Sequence, residues 1–167
     1  MQHSVPALLL VTGSRTLVDI KGAVEWAQGL INRAIDDEGA KLVVAGDAGG
    51  PDFWGLSLAH NRGLHISTWS VHGSLAGTHY DSWTTHDVPW ATTEELRNTA
   101  PERIPLLRNQ RMVQWVSEQA RKKERRAVCL ALIDPASPTK GTQHTARLAL
   151  EAGLDLVVRH YTGGSRS

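Results

Sequence analysis

The amino-acid sequence predicts an α/β fold in which a mostly parallel sheet is covered by helices on both faces. Two observations carry that expectation. Short, unbroken apolar runs alternate along the chain with segments whose apolar residues recur at intervals of three and four. Each apolar run is closed by a cluster of small polar residues rich in glycine. A length of 167 residues with 41% hydrophobic content suits one domain of ordinary size with a real core.

Residues 7–12 form the first run, the pattern of a strand buried on both faces, and Gly13 and Ser14 break it. Over 19–37 one helical face is marked by Ile20, Val24, Ala27, Leu30, Ile31, Ala34 and Ile35. Asp19 is placed to cap that helix and Gly39 to stop it. Residues 41–45 repeat the strand pattern, and Gly46-Asp47-Ala48-Gly49-Gly50 leads into Pro51, a favoured first residue of a helix that runs to about Arg62. Residues 64–69 alternate as a third strand. From 70 to 103 periodicity is lost among glycines, prolines and tryptophans, so an insertion of lid or binding-loop type with little regular structure is expected. Helical spacing returns over 109–126 through Met112, Val113, Val116 and Ala120, and 127–133 reads as a fourth strand. A loop at 134–142, a helix at 144–152 stopped by Gly153 and a strand at 154–158 follow. The whole predicts a Rossmann-like three-layer sandwich over 1–161, with about five or more strands and right-handed crossovers, and a flexible polar tail at 162–167.

Composition narrows the function classes. With 18 Lys+Arg against 17 Asp+Glu, the net charge of +1 offers no global field for nucleic acid or an acidic membrane, so an anion must be captured locally. Arg121, Lys122, Lys123, Arg125 and Arg126 cluster where a helix end favours cations, which makes a solvated terminus the plain reading and a nucleic-acid partner an unlikely one. The single Cys129 excludes an internal disulfide and suits a reducing compartment. No run approaches the roughly 20 apolar residues of a membrane span, and the start reads as a buried strand rather than a signal peptide, so a cytoplasmic location without a membrane partner is expected. His65, His72, His79 and His86 recur at seven, but Gly73, Gly77 and Pro89 deny them a common helical face; no metal or cofactor is expected.

In an open parallel sheet, ligands sit outside the carboxyl ends of the strands. After the first strand, Gly13 lets backbone approach a ligand, Ser14 can donate, and Arg15 can pair with phosphate. After the second, Gly46, Ala48 and Gly50 clear space above a helix start that carries Asp52. Lys140, Gly141 and Thr142 open a further helix. Asp52 is either a ribose contact or general base, or a carboxylate placed by the helix dipole. Arg15 and Arg108 are read as ligand contacts, against salt bridging, and Asn109 as a helix cap or a base contact. Trp69, Trp83 and Trp90 either stack on a purine, or fill the core or a dimer contact. Neither GxxxxGK[ST] nor GxGxxG occurs, which disfavours P-loop hydrolysis and nicotinamide redox chemistry.

The ordered set Val11-Thr12-Gly13-Ser14-Arg15, Val44-Ala45-Gly46-Asp47-Ala48-Gly49-Gly50-Pro51-Asp52, Arg108-Asn109-Gln110-Arg111-Met112 and Lys140-Gly141-Thr142, with Ala149 and Gly153 following, resembles the small YspA-like branch of the SLOG superfamily. The resemblance implies a Rossmannoid domain that binds nucleotides or their derivatives at Gly13, Ser14, Arg15, Gly46, Gly50, Asp52, Arg108, Asn109, Gly141 and Thr142. A sensor or sequestering module is the leading expectation. The alternatives are an N-glycosidic hydrolase of nucleoside 5'-monophosphates, as in LOG-type enzymes, and a single-stranded DNA-binding module. A homo-oligomer, dimer or tetramer, is expected. The chain departs from the PGGxGTxxE signature of the hydrolases: Thr145 stands where their glutamate would be, and Asp52, Glu94 or Glu95 would have to replace it.

Overall fold

A computed structural model describes residues 6–137 and 140–163. The first strand, β1 (Leu8–Gly13), is buried throughout. Its unbroken apolar run has a geometric cause, since successive side chains point to opposite faces: Leu9 and Val11 join one hydrophobic cluster, Leu8 and Leu10 the other. Helices α1 (Ala23–Glu38) and α2 (Pro51–Asn61) cover the first face, with Ala27, Ile31, Ile35 and Ala59 in its cluster. Helices α4 (Ile104–Lys122) and α5 (Lys140–Glu151) cover the second, through Met112, Val113, Val116 and Ala149.

The remaining strands are β2 (Leu42–Gly46), β3 (His65–Trp69), β4 (Thr78–Asp81), β5 (Val88–Pro89), β6 (Ala127–Ile133) and β7 (Asp155–His160), and α3 (Thr93–Arg97) is a short helix between β5 and α4. They form one sheet in the order β5-β4-β3-β2-β1-β6-β7. Its pairings from β3 through β7 are parallel, whereas β4 runs antiparallel to β3, and β5 to β4. The protein is thus an α/β fold with a mostly parallel seven-stranded sheet. No helix among the described residues is long and apolar enough to cross a membrane.

Several boundaries differ from the sequence reading, each for a physical reason. The segment after β1 first makes a 3-10 turn, Arg15–Asp19, so Asp19 ends that turn and does not cap α1, which begins after the left-handed Gly22. The 70–103 segment contributes β4, β5 and α3 rather than lying irregular. The buried positions of β4 are His79 and Asp81, so its two-residue alternation carries no apolar signal. Their burial is satisfied internally: Asp81 accepts from the Ser67 hydroxyl and pairs with His79 Nδ1 at 2.9 Å. Helix α4 starts at Ile104 with Pro105 in its first turn, which puts Arg108 and Asn109 inside the helix and not at a turn or cap. Helix α5 begins at Lys140, four residues ahead of expectation. Pro138 and Thr139, and the tail beyond 163, lie outside the described residues.

Gly13 is needed for packing. A Cβ there would stand 2.4 Å from Pro51 Cγ and 2.7 Å from the Leu132 carbonyl oxygen, both held by the start of α2 and by β6. Gly13→Ala is therefore expected to cost about 1–3 kcal/mol by overpacking. Chemical denaturation measures this, and an unchanged midpoint would show that the contact relaxes freely.

Candidate functional site

The carboxyl ends of β1 and β2 and the first turns of α2, α4 and α5 enclose a cleft of ≈ 390 Å³. It lies where the chain order reverses: β2 and β3 extend the sheet from one side of β1, and β6 returns to the other. Hydrogen bonds tie the two loops at this reversal together. Ser14 Oγ accepts from the Asp134 amide at 3.0 Å, and Thr16 Oγ1 donates to Asp134 Oδ2 at 2.8 Å.

Of the residues singled out from sequence, Gly13, Arg15, Ala48, Asp52, Arg108, Asn109, Lys140, Gly141 and Thr142 line this cleft. Ser14, Gly46 and Gly50 do not. Ser14 is fully buried in the loop-to-loop bond just described. Gly46 lies under the Arg108 guanidinium, where a Cβ would approach Nη1 to 2.5 Å. Gly50 precedes α2 and packs on the backbone of Ser14 and Arg15. Gly13 and Gly46 thus make room for protein atoms, while Gly141 faces open space.

Arg108 organises the floor of the cleft. It is 6% exposed, donates from Nη1 to the Trp69 carbonyl at 2.8 Å and to Asp47 Oδ1 at 3.2 Å, and from Nε to Asn109 Oδ1 at 2.8 Å. Asn109 therefore does not cap a helix; its Oδ1 orients the arginine, and the residue lines the cleft. The other Asp47 oxygen accepts from the amides of Val71 and His72 and lies 3.1 Å from His72 Nδ1. Burial works to raise the Asp47 pKa, but the two amides and the charges of Arg108 and His72 outweigh it and hold the carboxyl below its usual range.

Asp52 behaves oppositely. It is 6% exposed. Burial pushes its carboxyl up to about 7, with the Asp47 charge adding to the push against the pull of Arg108, the Ala48 amide and Arg15. Near Arg108 the cleft thus holds a firmly ionised carboxylate, Asp47, and another, Asp52, that changes protonation near neutrality. Arg15 and Lys140 are exposed on its rim, and among the described residues neither has an ion pair.

Asp47, His72 and Glu102 also line the cleft, and none was marked as a site residue from sequence. Asp47 sits inside the glycine-rich loop and was detectable there; His72 and Glu102 arrive only through the path of the 70–103 segment. The other residues weighed from sequence lie elsewhere. Trp69 stacks on His79 at 4.3 Å, and Trp90 is buried with its Nε1 bonded to the Ser70 carbonyl. Trp83, 44% exposed, stands beside Trp115; none of the three tryptophans reaches the cleft. Glu95 caps α3 and binds Arg111, Glu94 is exposed, and neither lines the cleft. The four histidines take separate neighbours, Ser82, Asp47, Asp81 and Thr85. Burial pushes the Cys129 thiol up to about 12, which leaves it un-ionised near neutral pH. The basic cluster ends α4, at the far end from the cleft, where Arg126 pairs with Glu38.

Compared with family models, with curated proteins and with solved structures, the chain matches none.

Proposed function

We propose that this cleft binds a nucleotide or nucleotide derivative, and that the protein is a Rossmann-like domain of the SLOG type serving as a sensor or sequestering module. One observation carries the reading: loops chosen from sequence for their suitability to phosphate converge on a single cleft at the reversal point of a parallel sheet. The parallel order β3-β2-β1-β6-β7 supports the Rossmann-like arrangement. The rim cations Arg15 and Lys140, without an ion pair among the described residues and beside the first turns of α2 and α5, suit a phosphate; the ionised Asp47 and its Arg108 form a polar floor for a ribose or base.

Thermal-shift measurements with mononucleotides, cyclic nucleotides and ADP-ribose derivatives test this. A ligand at a hundred times its dissociation constant stabilises by about 2.7 kcal/mol, a shift of several degrees. Arg15→Ala is expected to weaken the effect at least about tenfold through loss of a charge-assisted phosphate contact. No stabilisation by any of these compounds rejects the reading.

The protonation of Asp52 near neutrality favours a second reading, N-glycosidic hydrolysis, in which this carboxyl acts as the acid or base at the leaving base or the attacking water. Chromatography for free base after incubation with nucleoside monophosphates decides between them. Equal release by Asp52→Asn would remove Asp52 from any such mechanism.

A further inference from the structure

The two edges of the sheet are unequal. At one, β5 is only two residues long and contains Pro89, features by which proteins discourage strand addition. At the other, β7 runs for six residues without a proline, and among the described residues its only strand partner is β6. The Tyr161 amide donates across to the Ile133 carbonyl. Counting back by the two-residue period of a strand, Arg159, Val157 and Asp155 turn their backbone groups toward β6, and Leu156, Val158 and His160 turn theirs outward. The Val158 carbonyl accordingly accepts at 3.0 Å from the Arg159 guanidinium, a side chain folded over the edge.

Charge is arranged symmetrically about the middle of this edge. Asp155 and Arg159 lie two residues either side of Val157, on the same face of the strand, and both are exposed. The one ion pair Asp155 makes among the described residues, with Arg126 at 3.9 Å, is long and open to solvent. Val157 is half-buried beside a shallow hollow of ≈ 160 Å³ that it shares with Leu30, Ala34 and Leu130.

We propose that β7 pairs antiparallel with β7 of a second copy of this chain about a two-fold axis through Val157, joining the two sheets into one. In that register the Arg159 guanidinium leaves the Val158 carbonyl for the facing Asp155 carboxylate, Val157 opposes Val157, Leu156 and Val158 exchange their outward backbone hydrogen bonds, and Asp155 faces Arg159 twice. The charge pattern selects the register: a slip of two residues in either direction sets Val157 against Asp155 or Arg159 and breaks both ion pairs. The proposal does not depend on what the cleft binds.

Sedimentation of the full chain tests it, and a species of twice the chain mass is expected at tens of micromolar. Asp155→Arg or Arg159→Asp alone places like charges opposite each other at two points and is expected to raise the dissociation constant at least about tenfold, whereas the double reversal restores it to within about threefold. Val157→Cys is expected to form a disulfide-linked dimer on mild oxidation, because residues facing each other across a two-fold meet the distance a disulfide needs. Leu156→Cys faces Val158 and is expected to cross-link far more slowly; Cys129 is buried and contributes no background. A wild-type chain that stays monomeric into the hundreds of micromolar overturns the proposal. So does a dimer indifferent to the single reversals, failure of the double reversal to restore it, or faster cross-linking at 156 than at 157.

Discussion

Urea unfolding of an Arg108→Met protein is expected to show a loss of about 3–5 kcal/mol, the cost of breaking a buried ion pair by removing one partner. The methionine fills much of the same volume beneath Gly46 but has no donor to offer. The Trp69 carbonyl loses the bond it accepts at 2.8 Å, Asn109 loses the Nε donor, and the half-buried Asp47 carboxylate loses its nearest cation. Arg108→Lys should recover only a minor part, because one ammonium cannot reach three acceptors arranged for a planar fork. A double-mutant cycle separates charge from packing. Adding Asp47→Asn to Arg108→Met is expected to return about 1–2 kcal/mol by removing the uncompensated charge, so the two changes are non-additive. A loss below about 1 kcal/mol for Arg108→Met, or strict additivity with Asp47→Asn, would show that the guanidinium is not the centre of this floor.

The second large effect depends on pH. The folded-state pKa of Asp52 lies above its unfolded value, so its carboxyl contributes stability as the neutral acid. That contribution is fully present below the unfolded value of 3.8 and is lost as the pH rises through about 7. At 1.36 kcal/mol per pKa unit, the difference between the acid and alkaline limits is about 4 kcal/mol. Asp52→Asn keeps an oxygen for the Ala48 amide and cannot ionise. Its stability relative to wild type is expected to be near zero at pH 3 and to rise by that amount toward pH 9, with roughly 2–3 kcal/mol of the rise falling between pH 5 and 9. The difference between the two curves is the quantity to read, since other carboxyls such as Asp47 titrate in both proteins. Parallel wild-type and variant curves from pH 5 to 9 would mean that Asp52 is not held neutral by burial.

The alternation of helices and strands was legible because it rests on local periods. Leu8, Leu9, Leu10 and Val11 face two helical layers at once, so they must all be apolar. The segments after β1 and β2, and at the start of α5, were legible for a related reason: parallel topology sends them to one edge whatever their detailed conformation. Strand β4 was hidden because its inward residues are His79 and Asp81, whose burial depends on Ser67 and Trp69 in the neighbouring strand. The start of α4 was hidden by Arg108 and Asn109, polar residues that read as a boundary and are in fact buried inside the helix.

By itself the sequence determined the α/β layering and the loops that reach the carboxyl edge, because hydrophobic period and chain punctuation are properties of neighbouring residues. Only the tertiary structure decided that Gly13 and Gly46 yield space to Pro51 and Arg108, that Asp47 stays ionised while Asp52 protonates near neutrality, and that β7 has no outer strand partner among the described residues. Those outcomes turn on burial and on contacts between residues as far apart as Arg108 and Asp47, 61 positions along the chain, which no local pattern encodes.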